Sequence, residues 1–288
     1  MKTKSFAFWL LLLPVLVALL MVIIVPFLYG IYYSFTNWNG DTSQVPDFVG
    51  FDNYINLLSD DTFKNALWFT FKYSIAAVFI INIIGLGLAL LVTSRIKSRN
   101  FLRTIFFMPN LIGGLILGFI WQFIFTKVFA SIGEAIGSEW LQGWLSDTTT
   151  GFWGMVILST WQMAGYIMII YIAYLENVPA DLLEAAEIDG ANAWQRFKNI
   201  TFPLVAPAFT VSMFLTLSGA FKIYDQNLSL TNGGPGNSTK MVAMDIVDTA
   251  FKMNLMGSAQ AKAVIFFLIV TAISLIQVYY NKKREVEM

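Results

Sequence analysis

The chain of 288 residues contains no cysteine and no histidine. Disulfides, thiol nucleophiles, imidazole bases and His/Cys sites for zinc or haem are excluded together. Charge is scarce too: 12% of residues are Asp, Glu, Lys or Arg, against about a quarter in a soluble domain. The 18 basic and 18 acidic residues cancel, which leaves neither a nucleic-acid footprint nor a polybasic patch for a membrane surface. No stretch reads G-x-x-x-x-G-K-[ST], so any ATP hydrolysis belongs to a partner.

Apolar side chains fill the space left, 57% of the total, with 16% aromatic. They fall in runs near the ~20 residues that cross hydrocarbon: Phe6 to Ser34, Ala66 to Thr93, Thr104 to Phe125, Phe152 to Tyr174, Pro203 to Phe221 and Ala261 to Tyr280. The expected fold is an all-α polytopic membrane protein of six transmembrane helices. The first run is too long for a secretory signal and lacks an A-x-A site, so an uncleaved helix is expected. Basic clusters at Lys2 and Lys4, at Arg95, Lys97, Arg99 and Arg103, at Arg196 and Lys198, and at Lys282, Lys283 and Arg284 alternate with acidic loops holding Asp41, Asp47, Asp52, Asp60 and Asp61, then Glu134, Glu139 and Asp147. The positive-inside rule places both termini in the cytoplasm. No repeat is evident and the loops are short, so residues 1–288 read as one transmembrane domain.

The loop over residues 179–203 carries local stop and start signals. Pro179 suits a first helical turn, Asp181 and Glu184 favour its positive end, and Gly190 supplies a left-handed stop. Asn192 caps a second short helix, and Pro203 opens the next span. A hairpin standing out of the membrane is expected, with Leu182, Leu183, Ala185, Ala186 and Ile188 giving an apolar face; an ordinary amphipathic hairpin would look the same.

Glu184, Ala185, Ala186, Gly190, Ile200 and Pro203 together resemble the EAA loop of the membrane subunits of ABC importers. The resemblance extends to Phe48-Val-Gly-Phe-Asp-Asn-Tyr54, to Arg103 through Pro109 to Trp121, and to Leu230-Thr-Asn-Gly-Gly-Pro235, and points to the carbohydrate-uptake branch. It implies a type I ABC importer permease fold in a bacterial or archaeal cytoplasmic membrane, surrounded by lipid. It implies a second, different permease, two ATPase subunits docked on the EAA loops, and an extracytoplasmic sugar-binding protein. ATP and Mg²⁺ would be used by the ATPase, with no cofactor on this chain and no catalysis by it. Glu184, Ala185, Ala186, Asp189 and Gly190 would couple to the ATPase. The cargo would be a sugar, or else a glycerol-phosphate-like or other polar solute.

Ionisable groups avoid the middles of the spans, with Lys72, Lys222, Asp225 and Lys262 toward the extracytoplasmic ends. A proton- or ion-coupled carrier, and a membrane enzyme, would need such groups at depth. Asn82, Gln122, Trp161, Gln162, Tyr166, Ser212, Thr216 and Ser218 do lie at depth. Rings stack on sugar C–H faces and amides or hydroxyls take sugar hydroxyls, but the same residues also serve as interhelical glue. In the resemblance, Trp161 and Tyr166 match aromatic residues at the sugar site of the maltose-type permease. Thr216, Ala220 and Ile223, with Tyr224 beside them, match further site positions. The maltose-type subunit has amides where this chain has Ala220 and Ile223, so maltose is not expected in the same pose. Thr231 to Asn237 is expected to be a tight turn at the pathway mouth near the docked binding protein.

Overall fold

A computed structural model describes residues 2–94 and 96–283. Arg95 and Arg284 of the basic clusters lie outside the described residues. Among the described residues, six helices are long and apolar enough to cross a membrane: Phe8–Tyr33, Asp61–Thr93, Gly114–Ile136, Thr148–Leu175, Ala193–Phe221 and Met256–Lys282. Among the described residues no strand forms, and Thr36 and Phe48 make an isolated bridge. The expected all-helical, six-span architecture is therefore present.

The third span differs from expectation. Thr104 to Phe107 belong to a separate helix, Arg99–Phe107, followed by a 3-10 turn over Met108–Leu111. Pro109 opens that turn, and Ile112 and Gly113 are extended, with ψ of 128° and 141°. Proline cannot donate a helical hydrogen bond, so the apolar run breaks here, and the span begins at Gly114 and continues to Ile136.

Two compact units divide the chain, Met1–Phe63 with Asp245–Leu268, and Lys64–Met244 with Ile269–Met288. In the first unit, the Phe8–Tyr33 span buries none of its most apolar window within the chain. A π turn at Leu20–Ile24 precedes Pro26, whose missing N–H breaks the regular bonding. The end of this span is held by the Phe48-to-Tyr54 segment noted in the sequence. Asn53 Nδ2 donates to the Ser34 and Thr36 carbonyls at 2.8 Å each, and the Ser34 and Tyr54 hydroxyls pair at 2.6 Å. Phe51 packs edge-on to Phe35 at 5.3 Å. Deeper in this unit the Lys262 ammonium, only 3% exposed, meets Asp245 at 2.7 Å and Asp60 at 2.8 Å. It also donates to the Thr249 hydroxyl at 3.0 Å and lies over the Phe63 ring.

The second unit is built around the Thr148–Leu175 span, with 67% of its most apolar window buried, more than any other span. Asp147 starts this helix by accepting from the Thr149 and Thr150 N–H groups at 2.7 and 3.1 Å. Its carboxyl is held below the usual range by the Thr150 hydroxyl and N–H and by Thr149. Small residues along the helix admit neighbours closely. At Gly165 a Cβ would overlap the Phe106 carbonyl, so the Arg99–Phe107 helix lies directly on this span. Arg103 adds an ion pair of 2.6 Å to Glu176 at the span's end.

Candidate functional site

The second, fourth and fifth spans and the segment Lys222–Gln226 line a cavity of about 350 Å³. Five expected pathway residues line it: Gln162, Thr216, Ala220, Ile223 and Tyr224. Trp161 does not. Consecutive helical residues are ~100° apart, and Trp161 falls on another face of the fourth span, in an apolar cavity of about 620 Å³. There it meets Trp121 edge-on, ring centroids 5.7 Å apart. Tyr166 is half-buried and lines neither cavity.

Polar groups in the first cavity differ in their freedom. The Thr216 hydroxyl donates to the Ser212 carbonyl at 2.7 Å and accepts from Asn82 Nδ2 at 3.0 Å. The Tyr171 hydroxyl donates to Asn82 Oδ1 at 3.0 Å. Tyr73 and Ser159, both lining residues, pair their hydroxyls at 2.5 Å. Gln162 donates to the Ile112 carbonyl at 3.0 Å, an acceptor made available where the third span is broken. Gln162 Oε1 in turn accepts from Gln226 Nε2 at 2.9 Å. The sequence does not mark out Tyr73, Ser159 or Gln226. Tyr73 and Ser159 read as ordinary span residues, and Gln226 follows an apolar run with only the nearby turn to flag it.

Asn227 is fully buried and organises the turn that follows. Its Nδ2 donates to the Thr231 hydroxyl at 3.1 Å and the Thr239 carbonyl at 2.9 Å, and its Oδ1 accepts from the Met241 N–H at 3.1 Å. Thr231, which opens the turn, and Thr239 and Met241, which follow it, are thus fixed to one side chain. Asn232, Pro235, Gly236 and Asn237 form its exposed crown.

The hairpin forms where its caps predict. Its first helix is Ala180–Ile188, ending at Asp189 and Gly190. Gly190 has φ +80°, and its N–H bonds to Glu187 O at 3.1 Å while that of Ala191 bonds to Ala186 O at 2.9 Å. This double closure is the Schellman arrangement. Asn192 Oδ1 then accepts from the Gln195 N–H at 2.9 Å, and the Asn192 N–H donates to Gln195 Oε1 at 2.8 Å, a capping box. The second helix does not stop before Pro203. It passes through a π turn at Phe197–Thr201 into the fifth span, giving one rod over Ala193–Phe221. Glu184, Ala185, Asp189 and Gly190 are exposed and Ala186 is half-buried. Ile188 is 86% and Trp194 67% exposed, so the hairpin presents apolar surface unpartnered within the chain.

This architecture is shared with known transport proteins. Residues 81–286 match the family model for binding-protein-dependent transport system inner membrane components. The chain is 58% identical over 281 residues to the probable starch degradation products transport system permease protein AmyD of Thermoanaerobacterium thermosulfurigenes, covering 98% of this chain and 96% of that one. It is 32% identical to the multiple sugar-binding transport system permease protein MsmF of Streptococcus mutans, covering 91% and 90%. A crystal structure of a bacterial ABC transporter importing the acidic polysaccharide alginate superposes with a TM-score of 0.84 at 20% identity, covering 98% and 96%. The chain belongs to the family of binding-protein-dependent transport system inner membrane components.

Proposed function

We propose that this chain is one of two unlike permease subunits of an ATP-driven importer carrying short gluco-oligosaccharides released from starch. The observation that carries the cargo is the 58% identity to a starch degradation products permease along nearly the whole of both chains. The cavity agrees with a neutral polar cargo: amides and hydroxyls from three spans surround it, and its charged lining groups, Lys222 and Asp225, are exposed.

In this reading residues 1–288 form one permease domain with both termini in the cytoplasm. The hairpin of residues 179–203 is the EAA loop, and Glu184, Ala185, Ala186, Asp189 and Gly190 seat an ATPase subunit. That partner binds ATP and Mg²⁺, while this chain binds neither and catalyses nothing. Because the hairpin's second arm is continuous with the fifth span, displacement of the hairpin moves Thr216 and Ala220 with it. The cavity then faces alternate sides of the membrane. An extracytoplasmic sugar-binding protein delivers cargo near the crown of the Thr231-to-Asn237 turn, and the exposed Phe8–Tyr33 span is covered by lipid or by the second permease.

The test is uptake of radiolabelled maltotriose into proteoliposomes holding this chain with its partner permease, ATPase and binding protein. ATP-dependent accumulation is expected. Accumulation without ATP, or none with any malto-oligosaccharide, contradicts the proposal.

A further inference from the structure

The first cavity lacks amides at Ala220 and Ile223 yet has two elsewhere on its wall, Gln162 and Gln226. These form a chain of fixed direction. The Ile112 carbonyl holds Gln162 Nε2 at 3.0 Å, which orients Gln162 Oε1 toward Gln226 Nε2, 2.9 Å away. Gln162 is 8% exposed, so its rotamer is set by packing as well as by bonding. Gly114 completes the seat, because a Cβ there would lie 2.9 Å from the Gln226 amide carbon. One Nε2 hydrogen of Gln226 is given to Gln162, which sets the plane of the amide; its second N–H and its Oε1 are left, and among the described residues no protein donor satisfies that oxygen. It therefore sits on the cavity wall as a pre-aimed acceptor.

We propose that Gln226 is a specificity-determining residue that accepts a hydrogen bond from one hydroxyl of the transported saccharide, with Gln162 and the Ile112 carbonyl as its positioning groups. The proposal rests on the saccharide reading above and deepens it. An acceptor held by two successive hydrogen bonds loses little freedom on binding. It also discriminates against cargo lacking the matching hydroxyl, since the amide oxygen is then desolvated without a partner. The break in the third span supplies the first acceptor of the chain, so the Pro109-to-Gly113 segment takes part in cargo selection without touching cargo.

The experiment uses the reconstituted four-component transporter, maltotriose, and the set of monodeoxy maltotrioses. Gln226→Met keeps the length of the side chain and removes the acceptor together with the N–H given to Gln162, a loss that is the same for every cargo. Uptake of maltotriose should fall about five-fold, the equivalent of one lost hydrogen bond, while the variant still co-purifies with its partners. For one monodeoxy analogue, variant and wild type should differ least, and taking the variant-to-wild-type ratio for each analogue cancels whatever the binding protein contributes. Gln162→Met, which frees Gln226 without removing it, should show a smaller loss with the same analogue dependence, and it serves if Gln226→Met does not assemble. Unchanged maltotriose uptake, or an equal loss with maltotriose and every analogue, overturns the assignment and leaves the cargo reading standing. If the wild-type transporter carries no maltotriose, the cargo reading fails, and this assignment with it.

Discussion

Asn82 Nδ2 donates to Thr216 Oγ1 at 3.0 Å across 134 residues of sequence, tying the second span to the fifth at the cavity wall. The sequence alone suggests Thr216 as a cargo contact. In the fold its hydroxyl is already committed as donor to Ser212 and acceptor from Asn82, and Thr216 is 2% exposed. Thr216→Val should therefore leave one buried N–H of Asn82 without an acceptor, while the other stays on the Val78 carbonyl, and cost about 1–3 kcal/mol of stability. Adding Asn82→Leu to it should cost less than the two single losses summed, because both singles break the same bond, although Asn82→Leu also takes the acceptor of the Tyr171 hydroxyl. Thermal unfolding in detergent measures the cycle; additive losses would show that the two residues are not coupled.

A side chain at Gly190 would meet open space, yet the backbone there has a φ of +80°. Strain rather than collision should decide the effect of substitution, at about 1–2 kcal/mol for an L residue in the left-handed region. Gly190→Val should weaken co-purification of the ATPase and lower uptake, while Gly190→Asn, which tolerates that region, should stay near wild type. Equal behaviour of the two variants would remove the backbone explanation.

Lys262 pairs with two carboxylates in a buried setting, so Lys262→Met should cost about 3–5 kcal/mol by taking the cation from both. Lys262→Met combined with Asp60→Asn and Asp245→Asn should recover much of that stability. Burial opposes the charged form of Asp60, but the Lys262 ammonium and the Phe63 N–H outweigh it, and the carboxyl is held below its ordinary 3.8. A depressed folded-state value gives stability that is present above about pH 4 and lost as pH falls through the lowered value. Melting temperature followed downward from pH 6 should drop in wild type, and drop less in Asp60→Asn.

The absence of cysteine makes sidedness directly measurable. Single cysteines at Ser43 and Asn237 should react with impermeant thiol reagents from outside, and cysteines at Ser98 and Asn192 should not. Labelling of Ser98→Cys and Asn237→Cys from the same side would overturn the orientation.

The hairpin was legible in the sequence because its determinants are local: Gly190 and the Asn192–Gln195 box act within a few residues. Span number was legible for the same reason, since apolar length needs no partner. The start of the third span was not, because hydropathy runs on through Pro109 and Ile112 while the backbone cannot. Within the cavity, sequence position did not separate Gln162 from Trp161, adjacent residues that face different cavities. Nor did it foresee that Lys262 would find Asp60, or Thr216 find Asn82, because those pairs exist only once distant spans have packed.

The central claim is that the cavity between the second, fourth and fifth spans is the transport path and changes sides. Gly219 lines it, and a Cβ there meets nothing within 4 Å, so Gly219→Cys introduces a probe without crowding. In the assembled transporter its reaction with an impermeant thiol reagent should be confined to one side of the membrane without nucleotide. With ATP trapped and the loaded binding protein present, it should move to the other side or be blocked by cargo. Reaction from the same side at the same rate in both states would contradict the account.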